Sequence, residues 1–231
     1  MTTRAIPATV ITATCLVASC AWANPPLVEE AFANMGNKLD WSFTVATDTL
    51  ESSRIEQHVA SGGESDWTLV TLDGETPADE AQREYRERKA KETQKRRERG
   101  GNGFDTIAVD DSFELIEETD THAVFSFQPA PDSDDDEKIM SMLRGLMKIN
   151  KAGPYVESLQ MNNSGKLKPA PMVRIHSLTI DIQFGPASDG GPWVPMSNTT
   201  VLEGKMAGFK KINQNTTIRY SDYSAPGQAS E

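Results

Sequence analysis

Large apolar residues recur at every second position, in short runs, through most of this chain, and that period-two pattern limits the folds open to it. In Trp41-Ser42-Phe43-Thr44-Val45 one face of an extended segment is bulky and apolar and the other is polar, the mark of a half-buried strand. Residues 54–60 and 67–72 continue the β character around Ser61-Gly62-Gly63, which reads as a hairpin or meander. Ile107 with Val109, Phe113 with Leu115, and Ala123 with Phe125 and Phe127 mark three short strands. Val173, Ile175, Leu178, Ile180, Ile182 and Phe184 mark a long one. Its phase slips by one residue at His176-Ser177, which predicts a bulge and a bent strand. Val201 to Phe209 and Thr217 to Tyr220 supply closing strands. Between these, Ile139 to Ile149 fits two patterns: Met140, Leu143 and Met147 suit a helix, and 146–149 suit a strand.

Two stretches are helical. Leu27, Ala31, Phe32 and Met35 follow Pro25-Pro26 at helical spacing and predict a short helix ending near Gly36. Residues 76–99 predict a longer, charged one, with Thr76 as N-cap and Pro77 at its first position. Four acid-first pairs at i, i+4 support it: Asp79–Arg83, Glu84–Arg88, Glu87–Lys91 and Glu92–Arg96. Its apolar stripe is Ala78, Ala81 and Tyr85 and fades after two turns, so the second half is expected to project into solvent or fray. Glycines at 100, 101 and 103 stop it. Many short strands with two or three helices give a β-rich α+β fold, a curved antiparallel sheet or half-open β-barrel. The expected organisation is one domain over 24–224, with an acidic loop at 129–138 and a flexible tail at 225–231.

The first 23 residues stand apart. Arg4, an apolar stretch over Ala5 to Ser19 and the small-x-small Ala21-Trp22-Ala23 predict a signal peptide, 1–23, and hence export. The apolar run is too short for a transmembrane helix, and no later stretch approaches the length of about 18 residues that one needs. Val17-Ala18-Ser19-Cys20 also fits a lipobox, in which Cys20 is acylated; the two routes, soluble periplasmic protein or outer-membrane lipoprotein, both stand at this point. Removal of 1–23 leaves 208 residues, no cysteine and, with Arg4 gone, a formal charge of −12. A large cysteine-free exported domain suits the bacterial periplasm better than a eukaryotic secretory route.

Composition and motifs exclude several chemistries. An acidic balance argues against nucleic acid as a partner. Without cysteine in the processed chain, thiol catalysis and thiolate zinc sites are excluded. His58, His122 and His176 are scattered singly and read as solvent-facing strand residues; no metal site or cofactor is expected from them. Gly63-Glu64-Ser65-Asp66-Trp67 fails the nucleophile-elbow pattern at its last position. Asp132 to Glu137 lacks the glycine and the glutamate of an EF-hand calcium loop. No catalytic set emerges, so the expectation is a non-enzymatic protein.

Two binding surfaces remain. Trp41, Phe43, Val45, Trp67 and Leu69 could line the concave side of a bent sheet, and Met140, Leu143 and Met147 add adaptable apolar surface suited to acyl chains. Arg83 to Arg99 carries nine bases against four acids, a net +5 that leaves the rest of the processed chain at −17. Arg96, Arg97 and Arg99 would dock an acidic partner or anionic head groups.

Trp67-Thr68-Leu69-Val70-Thr71-Leu72-Asp73-Gly74, then Thr76-Pro77 and Tyr85-Arg86, resemble a group of uncharacterised exported bacterial proteins. So do Gly145 to Asn150 leading to Pro154-Tyr155-Val156, the Gly204 strand, and Tyr220-Ser221-Asp222-Tyr223. These are similar in plan to the lipoprotein-localisation carriers, whose half-open β-barrel holds lipid chains under a helical lid. The resemblance implies an apolar-ligand carrier with a lipid or lipoprotein partner, and transfers no individual residue role. The soluble route expects no incorporation of labelled palmitate; uptake that Cys20→Ala abolishes would establish the anchored form instead.

Overall fold

The structure, a computed structural model, describes residues 24–61, 64–99, 107–109, 111–131 and 137–225. The signal segment with Cys20, most of the acidic loop and residues 226–231 of the tail lie outside the described residues. The element order is α1 (Pro26–Ala33), β1 (Ser42–Thr49), β2 (Ser53–Ser61), β3 (Glu64–Leu72), α2 (Asp79–Arg99), β4 (Glu114–Glu118), β5 (His122–Phe127), α3 (Glu137–Met140), β6 (Leu143–Asn150), β7 (Tyr155–Asn163), β8 (Leu167–Ala170), β9 (Val173–Pro186), β10 (Trp193–Met206) and β11 (Lys210–Ser224). All eleven strands form one curved, unclosed antiparallel sheet in the order β3-β2-β1-β11-β10-β9-β7-β6-β5-β4, with β8 paired to β9. The expected β-rich α+β class is the one observed.

Curvature has a local cause. Register slips interrupt the β1–β11, β2–β3, β4–β5 and β6–β7 pairs once each and the β9–β10 pair twice. Each extra residue bends its strand and tightens the right-handed twist. One of the two β9–β10 slips leaves His176 unpaired, between Ser177↔Glu203 and Ile175↔Gly204, where the phase slip in the sequence predicts it.

Because paired residues share a face, the registers assign sides across the whole sheet. Phe43, Val45 and Thr47 share a face with Tyr220 and Ile218, then with Asn198 and Thr200, then Ile182 and Ile180, Leu159 and Met161, Met147, and Phe125. Both longer helices lie on this face: α2 packs on β3 and α1 on β7. Three buried clusters result. One gathers Val28 and Ala31 of α1 with Phe125, Phe127, Met147, Ile149, Val156 and Leu159. The second lies under α2, and the third joins Leu143, Leu167, Ile175 and Leu178. The opposite face is mostly hydroxyl and amide side chains, such as Thr199, Thr217, Thr179, Asn162 and Gln160.

Several sequence expectations change. Ile107 and Val109 form no strand; Ala108 makes a single bridge to Pro129. The long helix starts later than expected, because Leu72 and Glu75 exchange backbone hydrogen bonds in a tight turn. Gln82 N–H then donates to the carbonyl of Ala78, which is the N-cap, so Thr76 and Pro77 lie outside the helix. Among the described residues the ion pairs within α2 are Glu80–Arg83, Arg88–Glu92 and Lys89–Glu92 rather than the expected Asp79–Arg83, Glu84–Arg88 and Glu87–Lys91; the fourth expected pair, Glu92–Arg96, lies outside the described side chains. The apolar stripe ends at Tyr85; beyond it Thr93, a polar residue two turns on, is buried on the sheet side. Residues 139–149 split into α3 and β6, so both patterns are used. The sequence reading missed β7, because the slip at Lys148/Ile149 puts its buried residues, Val156 and Leu159, three apart. His58 is wholly buried, against the expectation for strand histidines; His122 is half-buried and His176 exposed.

Gly145 is needed where it is. A Cβ there would run into the ring of its cross-strand partner Phe127, which lies over the glycine and fills the core. Gly145→Val should therefore lower the free energy of unfolding by about 2 kcal/mol, an overpacking cost measurable by denaturant titration.

Candidate ligand chamber under helix α2

The second cluster is built by strand alternation from β1 and β3 and closed from above by α2. Phe43 and Val45 on β1 and Trp67 and Leu69 on β3 point inward, joined by Leu39 and Tyr85. Half-buried Trp41, Ile218, Tyr220 and Tyr223 pack against them. Phe43 is the centre of the aromatic packing: its ring centroid lies 5.7 Å from Trp67, 5.9 Å from Tyr220, 5.3 Å from Tyr223 and 4.8 Å from His58. Such edge and tilted contacts add about 0.5–1.5 kcal/mol each beyond area burial. His58 is locked by the bond from its Nδ1–H to the Trp41 carbonyl at 2.8 Å.

Strand β2, between them, inverts the usual sorting. Its inward residues are Glu56 and His58, opposite Val45 and Phe43, with the small Ala60 beyond them, while its larger apolar residues Ile55 and Val59 are exposed. Glu56 is 1% exposed. A lone buried carboxylate would be prohibitively costly, so its partners matter. Tyr85 O–H donates to Oε1 at 2.6 Å, Lys89 Nζ lies 3.0 Å from the same oxygen, and Arg54 Nε lies 3.2 Å from Oε2. Burial alone raises the Glu56 pKa; the Tyr85 hydrogen bond and the Lys89 and Arg54 charges outweigh it and hold the carboxyl below its ordinary value. Burial, then the bond to Glu56, pushes the Tyr85 phenol far up, so it keeps its proton at any physiological pH. Lys89 Nζ also sits 4.4 Å from the centroid of the Trp67 ring, a cation–π contact.

The geometry is that of a clamp. Two residues of α2 one turn apart, Tyr85 and Lys89, grip one carboxylate of the sheet. Gln82, one turn earlier, completes the attachment: its side-chain amide donates to the Leu69 carbonyl and accepts from Leu69 N–H, covering the open edge of β3. Trp67 Nε1 and Thr47 Oγ1, both buried on this face, have no hydrogen-bond partner among the described protein atoms.

The expected groove residues are thus only partly brought together. Trp41, Phe43, Val45, Trp67 and Leu69 meet under α2, whereas Met147 belongs to the α1 cluster and Leu143, with Met140 beside it, to the third. All of them except Met140, on α3, and Trp41, just before β1, share the helix-bearing face by register. Arg96, Arg97 and Arg99 lie on the last turns of α2, with side chains outside the described set. Sequence reasoning missed Glu56, His58 and Lys89. The signal for them was the reversed alternation of β2, apolar at 55 and 59 with Glu56 and His58 between, ahead of a helix carrying Tyr85 and Lys89 at i, i+4.

On the opposite face, Glu157 receives His122 Nε2 at 3.0 Å, Lys148 Nζ at 2.8 Å and Asn150 Nδ2 at 2.9 Å. This cluster ties β5, β6 and β7 together across the slip in β7. Among the described residues, no group of three or more His, Cys, Asp or Glu is placed to hold a metal ion. No family model, curated protein or solved structure matches the chain.

Glu56→Gln should cost about 3 kcal/mol of stability, since it leaves Lys89 and Arg54 facing a neutral amide. Because the carboxyl is held below its ordinary value of 4.5, its contribution is full above that pH and is lost as pH falls through the lowered value. Denaturant titrations at stepped pH should therefore show a smaller loss of stability below pH 4.5 in Glu56→Gln than in the unsubstituted protein. Equal losses would remove Glu56 from the acid response.

Proposed function

We infer that this is a non-enzymatic bacterial envelope protein, exported to the periplasm, which binds a lipid or another apolar ligand on the helix-bearing face of its sheet. The supporting observation is a continuous apolar face covered by helices only towards its two ends. Among the described residues, the most extensive helix packing falls on β3, β7 and β8, while β11, β10 and the paired middle of β9 lie between. There Ile180, Ile182 and Leu202 are only half-buried, as are Ile218 and Met161 at the margins, where they pack against the α2 and α1 clusters; Asn198 and Thr200 are interspersed. An acyl chain laid across this strip would bury that area at about 25 cal/mol per Å². The Thr47 hydroxyl, opposite Ile218 in register, and the Trp67 indole N–H offer hydrogen bonds to a head-group oxygen. Helix α2 would act as the lid, its hinge the connector before Asp79 and its latch the Glu56 clamp. This is the plan that the resemblance to the lipoprotein-localisation carriers implies.

A second reading rests on the outer side of α2, where Arg83, Arg86, Arg88 and Lys91 are exposed. On it, the protein is a periplasmic scaffold that captures an acidic partner through the basic helix over 83–99. Neutralising Arg96, Arg97 and Arg99 would then abolish capture and leave lipid binding untouched.

Lipid extraction and native mass spectrometry of protein purified from its own envelope should find a bound lipid. In solution, Ile182→Asp and Ile218→Asp should each weaken uptake of a fluorescent fatty acid by about tenfold or more, while circular dichroism stays β-rich. Repeated failure to find any bound or bindable lipid would sink the reading.

A further inference from the structure

At one end of the sheet two turns form a single tip. Ala207 N–H donates to the carbonyl of Met172 at 2.7 Å, tying the β10–β11 turn to the β8–β9 turn. Ala207 and Gly208 both have positive φ, 52° and 80°, and the tight turn they make leads into Phe209. Phe209 is 84% exposed, Met172 63% and Met206 38%. A single exposed apolar side chain is ordinary, but three together, on linked turns, are a patch.

The charge around the patch is the second, independent observation. Residues 165–176 and 203–213 contain Lys166, Lys168, Arg174, Lys205, Lys210 and Lys211 and one acid, Glu203, in a chain of net charge −11. All six cations are exposed, and none makes an ion pair with a described residue. The register sets three of them side by side: Lys205 pairs directly with Arg174 on β9 and with Lys211 on β11. Like charges directly opposite, with Cβ atoms about 5 Å apart, destabilise a sheet, and no acid is interleaved to relieve them.

We propose that this tip docks on the surface of an anionic lipid bilayer, with Phe209 and Met172 seated among the head groups and acyl chains and the lysine collar on the lipid phosphates. An apolar apex ringed by unpaired cations matches the layered chemistry of such a surface, apolar within and anionic at the rim. An acidic protein or a nucleic acid would satisfy the cations and leave Phe209 and Met172 in water. The site is separate from the strip between the helices and does not depend on a lipid being carried there. It would bring the sheet to a membrane end-on.

The test is co-sedimentation of the purified protein, carrying Cys20→Ala so that no anchor contributes, with phosphatidylethanolamine–phosphatidylglycerol vesicles and with phosphatidylcholine vesicles. Partition onto the anionic vesicles should exceed that onto the zwitterionic ones and weaken as salt rises. Phe209→Ser, and separately the triple variant Lys205→Gln, Lys210→Gln, Lys211→Gln, should each lower it by about tenfold or more. Phe209→Trp should keep binding, with tryptophan emission shifted to the blue on anionic vesicles. These are exposed turn and strand-end positions, so circular dichroism should be unchanged. No partition, equal partition onto both vesicle types, or either variant partitioning like the unsubstituted chain overturns the proposal. Fatty-acid uptake in solution does not read the tip, so the two functional readings fail separately.

Discussion

A sheet that curves without closing has one apolar face to cover and two open edges to protect, and few residues here are assigned to either task. The face is covered by α1 towards one end and α2 towards the other, with the segment around Phe113 helping α1. The edges are handled differently. Strand β4 is five residues long, wholly exposed and carries Glu114, Glu117 and Glu118, so charge and brevity discourage pairing with another chain. Strand β3 is longer and is masked by α2, whose Gln82 occupies the peptide groups of Leu69. Coverage of the face and protection of that edge therefore rest on the same helix.

That dependence explains the most expensive feature of the molecule. Helix α2 is too polar to be held by an apolar stripe; Tyr85 is its one fully buried large side chain among those described. Its attachment is electrostatic and directional instead, through Glu56, Tyr85, Lys89 and Arg54. A buried ion pair of this kind is weak as a source of stability and strong as a determinant of geometry, because only one placement of the helix satisfies all its donors.

Charge is sorted in space as well as along the chain. The acidic excess in the sequence is spread widely, while cations concentrate on α2 and on the tip formed by the β8–β9 and β10–β11 turns. On α2 they are partly neutralised by neighbouring acids and by Glu56. At the tip they are not.

The strand pattern, the bent β9 and the two helices were legible in the sequence because they depend on local periodicity. The bulge at His176 could be read from four residues on either side of it. The strand β7 could not, since its phase changes through a slip against β6, a partner the chain reaches only by pairing. The grouping of Trp41, Phe43, Val45, Trp67 and Leu69 was also foreseeable, being set by alternation on β1 and β3, which share a face across β2. What tertiary structure alone decided is which polar residues go inside. His58 reads as solvent-facing, and nothing in the local pattern points Glu56 inward, because a carboxylate or an imidazole is normally better hydrated outside. Only the arrival of Tyr85 and Lys89 from a helix some thirty residues away, and of Trp41's carbonyl from β1's start, makes their burial affordable. Periodicity fixes the strands; long-range partners, invisible to it, fix the site.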